Sequence, residues 1–253
     1  MTTQLQLPAD YQKKYNKVLS YGDANTRIIQ LQNCSLPPEN SVFTASWWQK
    51  NAEITGSASG RGKTLFVRHQ QQDSILRPYL RGGIPGKILS NQFFFTGFER
   101  TRAWQEFFLL LDMLALQLAV PEPVMACIQK SGLIYRNSII IKRIPEAADL
   151  HHILCQQPLS EKALHTVGKT IRTFHDNQVY HHDLNIRNIL LDQQDKPWLI
   201  DFDKCGFKPG ESWKQHNLAR LQRSLLKEKR KLPELHWQEQ QWDILIAGYN
   251  DIN

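Results

Sequence analysis

The chain has 253 residues, of which 41% are hydrophobic and 22% charged, and its formal net charge is +7. This composition is that of a folded protein with one sizeable core or two small lobes, and it argues against disorder, internal repeats and low-complexity tracts. The positive charge predicts an anionic partner, for which a nucleic acid, an acidic sugar and an anionic membrane surface are all candidates.

Cysteine spacing and hydropathy narrow the setting of the protein. The cysteines form no C-x-x-C pair, so metal clusters and a disulfide framework are not expected, and a reducing cytoplasm fits. The N-terminus lacks the pattern of a signal peptide. The most apolar stretch, residues 107–120, is too short to span a bilayer and is interrupted by Asp112. Any contact with a membrane is therefore expected to be peripheral.

The first part of the chain separates into a polar segment and a segment of short apolar runs. Residues 1–40 are polar and are expected to form a loosely packed N-terminal extension. In residues 41–143, apolar runs broken by glycine predict strands, and one long helical pattern accompanies them. The predicted elements are strands at 53–55, 64–68, 74–79 and 139–141, a glycine loop at 56–62 and a helix at 97–117.

The rest of the chain, residues 144–253, is predicted to be mostly helical. Ser160 is placed to cap a helix whose apolar face recurs from Leu164 to Phe174. A second helix, amphipathic and basic, is predicted at 212–231. Strands with one helix, then a hinge, then mostly helices predict an α+β chain of two lobes, an N-lobe at 41–143 and a C-lobe after it.

One segment carries the clearest chemical signal: His181-His182-Asp183-Leu184-Asn185-Ile186-Arg187-Asn188, followed by Ile200-Asp201-Phe202-Asp203. The combination is typical of phosphoryl transfer from ATP, which needs a positioned hydroxyl, metal ions across the phosphates and cations that take up charge. Asp183 is the candidate base that orients the acceptor hydroxyl and accepts its proton. Asn188 and Asp201 offer the oxygen ligands that Mg²⁺ prefers. His181 is expected to hold the backbone in place, and His182 has no assigned role.

The predicted N-lobe offers residues for the nucleotide. Gly60 and Gly62 would let backbone N–H groups approach phosphates, although the spacing departs from G-x-G-x-x-G and a tight hairpin would also use them. In kinases a lysine on a strand pairs with a glutamate on the following helix and aligns the phosphates. Here the strand offers Arg77 and the helix offers Glu106. Lys63 is an alternative cation, and a surface arginine on an edge strand is the alternative interpretation of Arg77.

Two basic segments have open roles. Arg81–Lys87, with Phe93–Phe95, Arg100 and Arg102 nearby, is basic and aromatic, which fits either contact with an anionic acceptor or a solvated loop beside core phenylalanines. The run Lys227–Lys231 is either a solvated helix end or a contact with an anionic leaflet, which attracts each cation near its surface by roughly 1 kcal/mol.

Several segments together resemble a known family: Gly60-Arg61-Gly62, Leu76-Arg77-Pro78-Tyr79-Leu80-Arg81-Gly82-Gly83, Phe95-Thr96-Gly97, Gly132-Leu133-Ile134-Tyr135-Arg136 and His181-His182-Asp183-Leu184-Asn185. The family is that of the bacterial 3-deoxy-D-manno-octulosonic acid (Kdo) kinases, in the lipopolysaccharide kinase group, which is related to protein kinases. The resemblance extends from about residue 45 to about residue 230. It implies an α+β, protein-kinase-like two-lobed fold with a reduced C-lobe.

The resemblance also implies an activity. The enzyme would use ATP and Mg²⁺ to phosphorylate a hydroxyl of Kdo on a lipid A precursor in lipopolysaccharide inner-core biosynthesis, as a peripheral protein at the cytoplasmic face of the inner membrane. Asp183 would be the active-site residue, and Arg77 in the lysine position would be a trait of the family. The Kdo-lipid acceptor and the anionic inner-membrane surface would then be the partners that the basic charge predicts, and no nucleic acid partner would be expected.

Two departures from protein kinases, and two alternatives, remain. Asp203 replaces the glycine of Asp-Phe-Gly, and the C-lobe is too short for peptide-binding helices, so a small-molecule or glycolipid acceptor is favoured. One alternative is another small-molecule kinase, such as a heptose or aminoglycoside kinase, although a cationic aminoglycoside does not suit a basic protein. The other is a pseudokinase that binds anionic glycolipid. Arg77 and the irregular glycine loop motivate it, whereas Asp183, Asn188 and Asp201 weigh against it.

Overall fold

A computed structural model of the chain describes residues 3–60, 62–80 and 91–251. The protein is α+β and divides into two compact units. The first comprises Met1–Leu111 and Glu122–Arg143, and the second comprises Asp112–Pro121 and Ile144–Asn253.

An antiparallel sheet is the frame of the first unit. Its strands are β1 (Thr3–Leu5), β2 (Val18–Gly22), β3 (Thr26–Leu31), β4 (Glu53–Gly60), β5 (Gly62–His69), β6 (Gln72–Pro78), β7 (Phe93–Phe94), β8 (Pro123–Ser131) and β9 (Ile134–Lys142). Among the described residues, eight of these nine strands follow the order β1-β2-β3-β8-β9-β6-β5-β4, and the ninth, β7, pairs with β9.

The prediction of a loosely packed N-terminal extension at 1–40 is wrong. β3 pairs with both β2 and β8, and Ile28 and Ile29 are completely buried. The helix α1 (Ala9–Lys14) precedes these strands, and the Tyr11 ring packs edge-on against Trp104, with 5.4 Å between the ring centroids. The segment is polar on average, but β2 alternates buried and part-buried residues. Average composition therefore hides the face that packs.

The predicted glycine loop at 56–62 is mostly strand. Residues 56–60 belong to β4, and the register between β4 and β5 continues until Gly60 lies opposite Gly62. A register shift between Ile54 and Gly56 marks a bulge near the start of the hairpin. Glycine usually indicates a loop, whereas here the strand continues through its glycines beyond the apolar run. Arg61 lies outside the described residues.

The long helix begins later than the sequence predicted. A short 3-10 turn covers Phe98–Arg100, and α3 then runs over Arg102–Ala115. Two side chains of β9 bond the first turn of α3: the Tyr135 hydroxyl accepts from the Arg102 N–H at 3.3 Å, and Asn137 Oδ1 accepts from the Ala103 N–H at 2.8 Å. The start of α3 is therefore bonded by a distant strand, which local sequence does not reveal.

One part of the core of the first unit contains residues of the sheet and of α2 (Ala45–Asn51). Thr44 caps α2 by accepting from the Trp47 N–H. The Trp48 indole is buried and donates its Nε1–H to the Val42 carbonyl at 2.7 Å. Trp48 belongs to an apolar cluster with Ile28, Val42, Leu76, Met125 and Ile140. Burial of these side chains holds strands from distant parts of the sequence in one sheet.

The second unit is mostly helical. Its helices are α4 (Leu150–Leu154), α5 (Glu161–Asp176), α6 (Ser212–Lys231) and α7 (Gln241–Asn250). Its strands are β10 (Ala148–Asp149), β11 (Val179–Tyr180), β12 (Ile189–Leu191), β13 (Pro197–Leu199) and β14 (Gly206–Phe207), which pair as β10-β12-β13 and β11-β14.

Both helices predicted in this unit are confirmed. Ser160 Oγ accepts from the Ala163 N–H at 3.1 Å, so it caps α5, and the helix at 212–231 has the predicted bounds. In the part of the chain that the structure describes, no helix combines the length and the hydropathy needed to span a bilayer.

Candidate active site

The first unit brings Arg77 and Glu106 together, as the sequence predicted. Arg77 lies on β6 and Glu106 on α3, and the Arg77 Nη2–H donates to Glu106 Oε1 at 2.5 Å. Glu106 is 2% exposed and Arg77 is 20% exposed. β6 lies between β5 and β9, so Arg77 is not a surface arginine on an edge strand. The pair is a buried, charge-assisted contact between a strand and a helix.

Tyr79 completes this cluster, and sequence analysis gave it no role. Its hydroxyl donates to Glu106 Oε2 at 2.5 Å, and its ring lies 5.1 Å from the Arg77 guanidinium carbon. Both carboxylate oxygens of Glu106 therefore accept a hydrogen bond. Tyr79 lies two positions after Arg77 along an extended chain, so the two side chains share a face, which is the signal that sequence analysis missed.

The glycines predicted to approach phosphates lie at the far end of the β4–β5 hairpin, where Gly60 and Gly62 face each other. Their contact with a nucleotide stays a prediction. Lys63, the alternative cation, lies in β5 opposite Ser59. The basic segment Arg81–Lys87 lies outside the described residues.

In the second unit, His181 holds the backbone of its loop, as predicted. Its Nε2–H donates to the Ile200 carbonyl at 3.0 Å, because that oxygen can only accept, and its Nδ1 accepts from the Asp183 N–H at 3.2 Å. Burial lowers the pKa of His181, outweighing the contact with the Ile200 carbonyl, so the ring is neutral. Asn217, on α6, bonds both backbone groups of His181. Its amide oxygen accepts from the His181 N–H, and its amide nitrogen donates to the His181 carbonyl at 3.0 Å.

Asp183 forms an ion pair with Arg220 of α6. Both the Arg220 Nε–H, at 3.0 Å, and an Nη2–H donate to Asp183 Oδ1. The two side chains are about half exposed, at 47% for Asp183 and 46% for Arg220. Partial burial raises the pKa of Asp183, but the hydrogen bond and charge of Arg220 outweigh it, so the pKa lies below its usual value. Asp183 is therefore ionised at neutral pH, with Oδ1 held by the arginine.

The amide of Asn188 has a fixed orientation that suits a cation ligand. Its Nδ2–H donates to the Asp183 carbonyl at 2.9 Å, and its own carbonyl accepts from the Ile200 N–H at 3.0 Å. Because the Asp183 carbonyl can only accept a hydrogen bond, the amide nitrogen of Asn188 must face it, and the amide oxygen of Asn188 points away from it. Asn188 is largely buried. Oxygen is the ligand type that Mg²⁺ prefers, so this orientation fits a metal ligand.

Asp201 lies just after β13 in a left-handed backbone conformation, with φ of +65°. Such a conformation is uncommon for residues other than glycine and recurs at functional sites. The next residue anchors the turn, because the Phe202 ring is buried and stacks on Phe174 with 6.1 Å between the ring centroids. Among the described residues, no cluster of three or more His, Cys, Asp or Glu is arranged for a metal. One amide and one carboxylate nevertheless suit Mg²⁺, which completes its shell with phosphates and water.

Arg220 and Asn217 were not predicted as site residues, because the sequence at 212–231 indicates only a basic amphipathic helix. The two residues are three positions apart, so they lie on one face of α6. Asn217 is almost completely buried, at 2% exposure. A buried polar residue in a helix needs a partner, but the sequence does not tell which backbone groups supply it.

The sequence of the chain is similar to those of known proteins. The sequence model of the lipopolysaccharide kinase (Kdo/WaaP) family matches residues 45–249. A 3-deoxy-D-manno-octulosonic acid kinase of Vibrio cholerae is 48% identical over 182 residues, which are 72% of this chain and 77% of that protein. The protein of the same name from Vibrio parahaemolyticus is 42% identical over 91% of this chain and 97% of its own length. The one from Mannheimia succiniciproducens is 41% identical over 85% of this chain and 92% of its own length. The chain belongs to the lipopolysaccharide kinase (Kdo/WaaP) family.

Proposed function

We propose that the protein is a kinase that transfers the γ-phosphoryl group of ATP to a hydroxyl of Kdo on a lipid A precursor. The observation that carries the proposal is 42% identity to a 3-deoxy-D-manno-octulosonic acid kinase over 91% of the chain. The second unit supports it, because the Asn188 amide donates to the Asp183 carbonyl and Arg220 of α6 donates to the Asp183 carboxylate, which holds both residues in one loop.

Asp183 acts as the base in this proposal. Arg220 occupies Oδ1, so Oδ2 is the oxygen that meets the acceptor hydroxyl. The hydroxyl oxygen forms a bond to the γ-phosphorus as the bond from that phosphorus to the ADP oxygen breaks, and the hydroxyl proton passes to Asp183. The lowered pKa keeps Asp183 ionised before the reaction, which is the form that orients and accepts a proton.

Asn188 and Asp201 would hold Mg²⁺, which neutralises phosphate charge when it is bound. Arg77 would contact the phosphates of ATP from the first unit, and Glu106 and Tyr79 hold its guanidinium in place. Gly60 and Gly62 would bring backbone N–H groups to the nucleotide. Each of these assignments is supported by residue type and by local geometry.

The chemistry of the acceptor fits the charge of the chain. Kdo carries a carboxylate and lipid A precursors carry phosphates, and arginine binds both through paired hydrogen bonds. The net charge of +7 is well suited to such a ligand. The acceptor is a membrane lipid, so the enzyme would work as a peripheral protein on the anionic cytoplasmic face of the inner membrane. A nucleic acid partner is not expected.

The alternatives are less well supported. A heptose kinase would share Asp183, Asn188 and Asp201, but the similar proteins named above are Kdo kinases. The pseudokinase hypothesis rested partly on Arg77. That residue forms a buried pair with Glu106, which is the arrangement that an active kinase uses.

Transfer assays test the proposal directly. The folded protein is incubated with Mg²⁺, γ-labelled ATP and one of three acceptors: Kdo-lipid A precursor, the same lipid without Kdo, or a heptose-containing lipid without Kdo. Label is expected on the first acceptor alone, and the Asp183→Asn variant should leave it unlabelled. Label on the Kdo-free lipids, or acceptor binding with no transfer to any of them, contradicts the proposal.

A further inference from the structure

Two large apolar side chains lie exposed at one end of the first unit's sheet. Phe94 is 73% exposed and Leu133 is 81% exposed. Leu133 lies in the turn between β8 and β9, and Phe94 ends β7, whose residues pair with β9. The Phe95 N–H donates to the Leu133 carbonyl at 2.9 Å, so the two exposed residues lie on neighbouring chain segments. Single exposed apolar residues are ordinary, whereas large contiguous apolar patches mark surfaces that meet a partner, so two such residues on neighbouring segments are a candidate centre for one.

The exposure is built into the strands. Phe93 is buried, and its ring lies 5.3 Å from that of Tyr135, so the alternation of β7 directs Phe94 the opposite way. Gly132 has φ of +60° and makes the tight turn that places Leu133 at its tip. The surrounding strands therefore hold both side chains outward.

Basic side chains border the same end of the sheet on both faces, Arg136 on the face of Phe94 and the others on the face of Phe93. The Lys130 ammonium lies 5.1 Å from the Phe95 ring, and the Arg102 guanidinium carbon lies 4.3 Å from the Phe93 ring. Arg136, on β9, is exposed, and Arg27 stacks at 4.7 Å on Phe98. Two carboxylates, those of Asp23 and Glu99, also lie here, since both act on the charge of Arg27. Cations outnumber them, so the end of the sheet is basic.

We propose that this end of the sheet is a docking surface for an anionic lipid bilayer. We call it the Phe94–Leu133 edge, comprising Phe94 and Leu133 with the cations Lys130 and Arg136. The apolar pair enters the boundary between headgroups and acyl chains, and the cations contact lipid phosphates. An apolar centre with a basic border is complementary to an anionic membrane interface in both polarity and charge. The proposal deepens the proposed function and rests on it in one respect, that the acceptor is a membrane lipid.

Sedimentation with sucrose-loaded vesicles tests the surface without any acceptor. Vesicles of phosphatidylcholine alone are compared with vesicles that also contain phosphatidylglycerol, at low and high salt. Wild-type protein should sediment with the anionic vesicles at low salt. The double variant Phe94→Ser/Leu133→Ser should bind roughly tenfold more weakly for each side chain removed from the interface. Its matched control, Leu116→Ser/Phe207→Ser, removes the other two exposed large apolar side chains of the described residues and should bind as wild type does.

The charge contribution is tested in the same way. Lys130→Gln and Arg136→Gln should each weaken binding to anionic vesicles by about fivefold at low salt, and less at high salt. Lys50→Gln and Lys162→Gln remove exposed cations elsewhere and should have little effect. Equal binding by wild type and the Phe94–Leu133 double variant would overturn the proposal, as would the absence of wild-type binding to anionic vesicles. A third contrary result would be a protein partner that wild type captures and the variants do not, while the variants still bind vesicles.

Activity measurements separate this proposal from the proposed function. With a water-soluble, delipidated Kdo acceptor, the double variant should turn over as fast as wild type. With vesicle-embedded acceptor it should be slower in proportion to its weaker binding. If it loses activity on the soluble acceptor as well, the edge is not a membrane surface. If wild type phosphorylates neither acceptor, the proposed function fails, while the vesicle experiment still decides whether the edge binds lipid.

Discussion

The two units each contain an arginine–carboxylate pair, and the pairs differ in burial. Arg77 and Glu106 are 20% and 2% exposed, and Tyr79 bonds the second oxygen of the glutamate. Arg220 and Asp183 are 46% and 47% exposed, and the arginine bonds a single oxygen of the aspartate. Removing one member of a buried pair costs about 3–5 kcal/mol because a charge is left in a poorly solvated place. An exposed pair contributes about 0–1 kcal/mol.

Burial therefore separates two roles for the same pair of functional groups. The pair in the first unit ties β6 to α3, so it stabilises the unit that carries it. The pair in the second unit adds little stability, and its effect is on the position and ionisation of Asp183. Unfolding measurements should accordingly distinguish the two pairs: variants of the first pair should lower stability as well as activity, whereas variants of the second should lower activity and leave stability almost unchanged.

The largest effect is expected for Asp183→Asn, which removes the carboxylate that we propose as the base and keeps the size of the side chain. We expect kcat to fall by about 10²–10⁴-fold, the range for loss of general base catalysis. The midpoint of denaturant unfolding should stay close to that of wild type, because the pair with Arg220 is exposed. Normal turnover by this variant would remove Asp183 from the mechanism.

Glu106→Ala breaks the buried pair, and here the loss should appear in stability. We expect the free energy of unfolding of the first unit to fall by about 3–5 kcal/mol, measured by urea denaturation followed by tryptophan fluorescence. The matched control is Asp73→Ala, which breaks the exposed pair with Arg68 in the same sheet and should change the unfolding midpoint little. Similar effects of the two variants would mean that burial does not distinguish these pairs.

The contrast between the pairs also shows how much the sequence predicts. Asp183, Asn188 and Asp201 could be proposed as site residues because their spacing is local and their chemistry is specific. Arg77 and Glu106 could be paired because a strand and the next helix have a regular relation in kinases. Arg220 could not be found, because its contact with Asp183 depends on how α6 packs, and nothing in a basic helix tells which of its cations faces inward.

The errors in the fold have the same origin. The sheet formed by residues 3–31 depends on pairing of β3 with β8, about 100 residues along the chain, and local polarity argued against it. The start of α3 depends on hydrogen bonds from Tyr135 and Asn137, which lie on a later strand. Helices with a strong apolar periodicity and a local cap, such as α5 with Ser160, could be predicted with an accurate start.

A smaller effect is expected for Gly168→Ala, which tests whether helix packing rather than the exposed pair stabilises the second unit. A Cβ atom at Gly168 would lie 1.9 Å from the Leu245 carbonyl oxygen of α7, so α5 and α7 would have to separate. We expect a loss of roughly 1–3 kcal/mol, the usual cost of overpacking, measured by thermal unfolding. Gly206→Ala is the control, because no atom lies within 4 Å of its Cβ position and the unfolding temperature should not change.

The smallest and most specific effect is expected for Arg220→Gln. Arg220 holds the pKa of Asp183 below its usual value although partial burial raises it, so its removal should raise that pKa. The base works only when it is ionised, and the acidic limb of the profile of kcat/KM against pH should therefore move to higher pH. At neutral pH, turnover should fall by roughly tenfold because Oδ1 loses its anchor and the carboxylate is less well oriented. The control is Arg223→Gln, an exposed residue on the same helix with the same change of charge, which should leave the profile in place. The ionisation of ATP depends on pH in the same way in the assays of wild type, Arg220→Gln and Arg223→Gln. A difference between their profiles of kcat/KM against pH therefore comes from the enzyme. An unchanged acidic limb in Arg220→Gln would show that the arginine does not control the ionisation of Asp183.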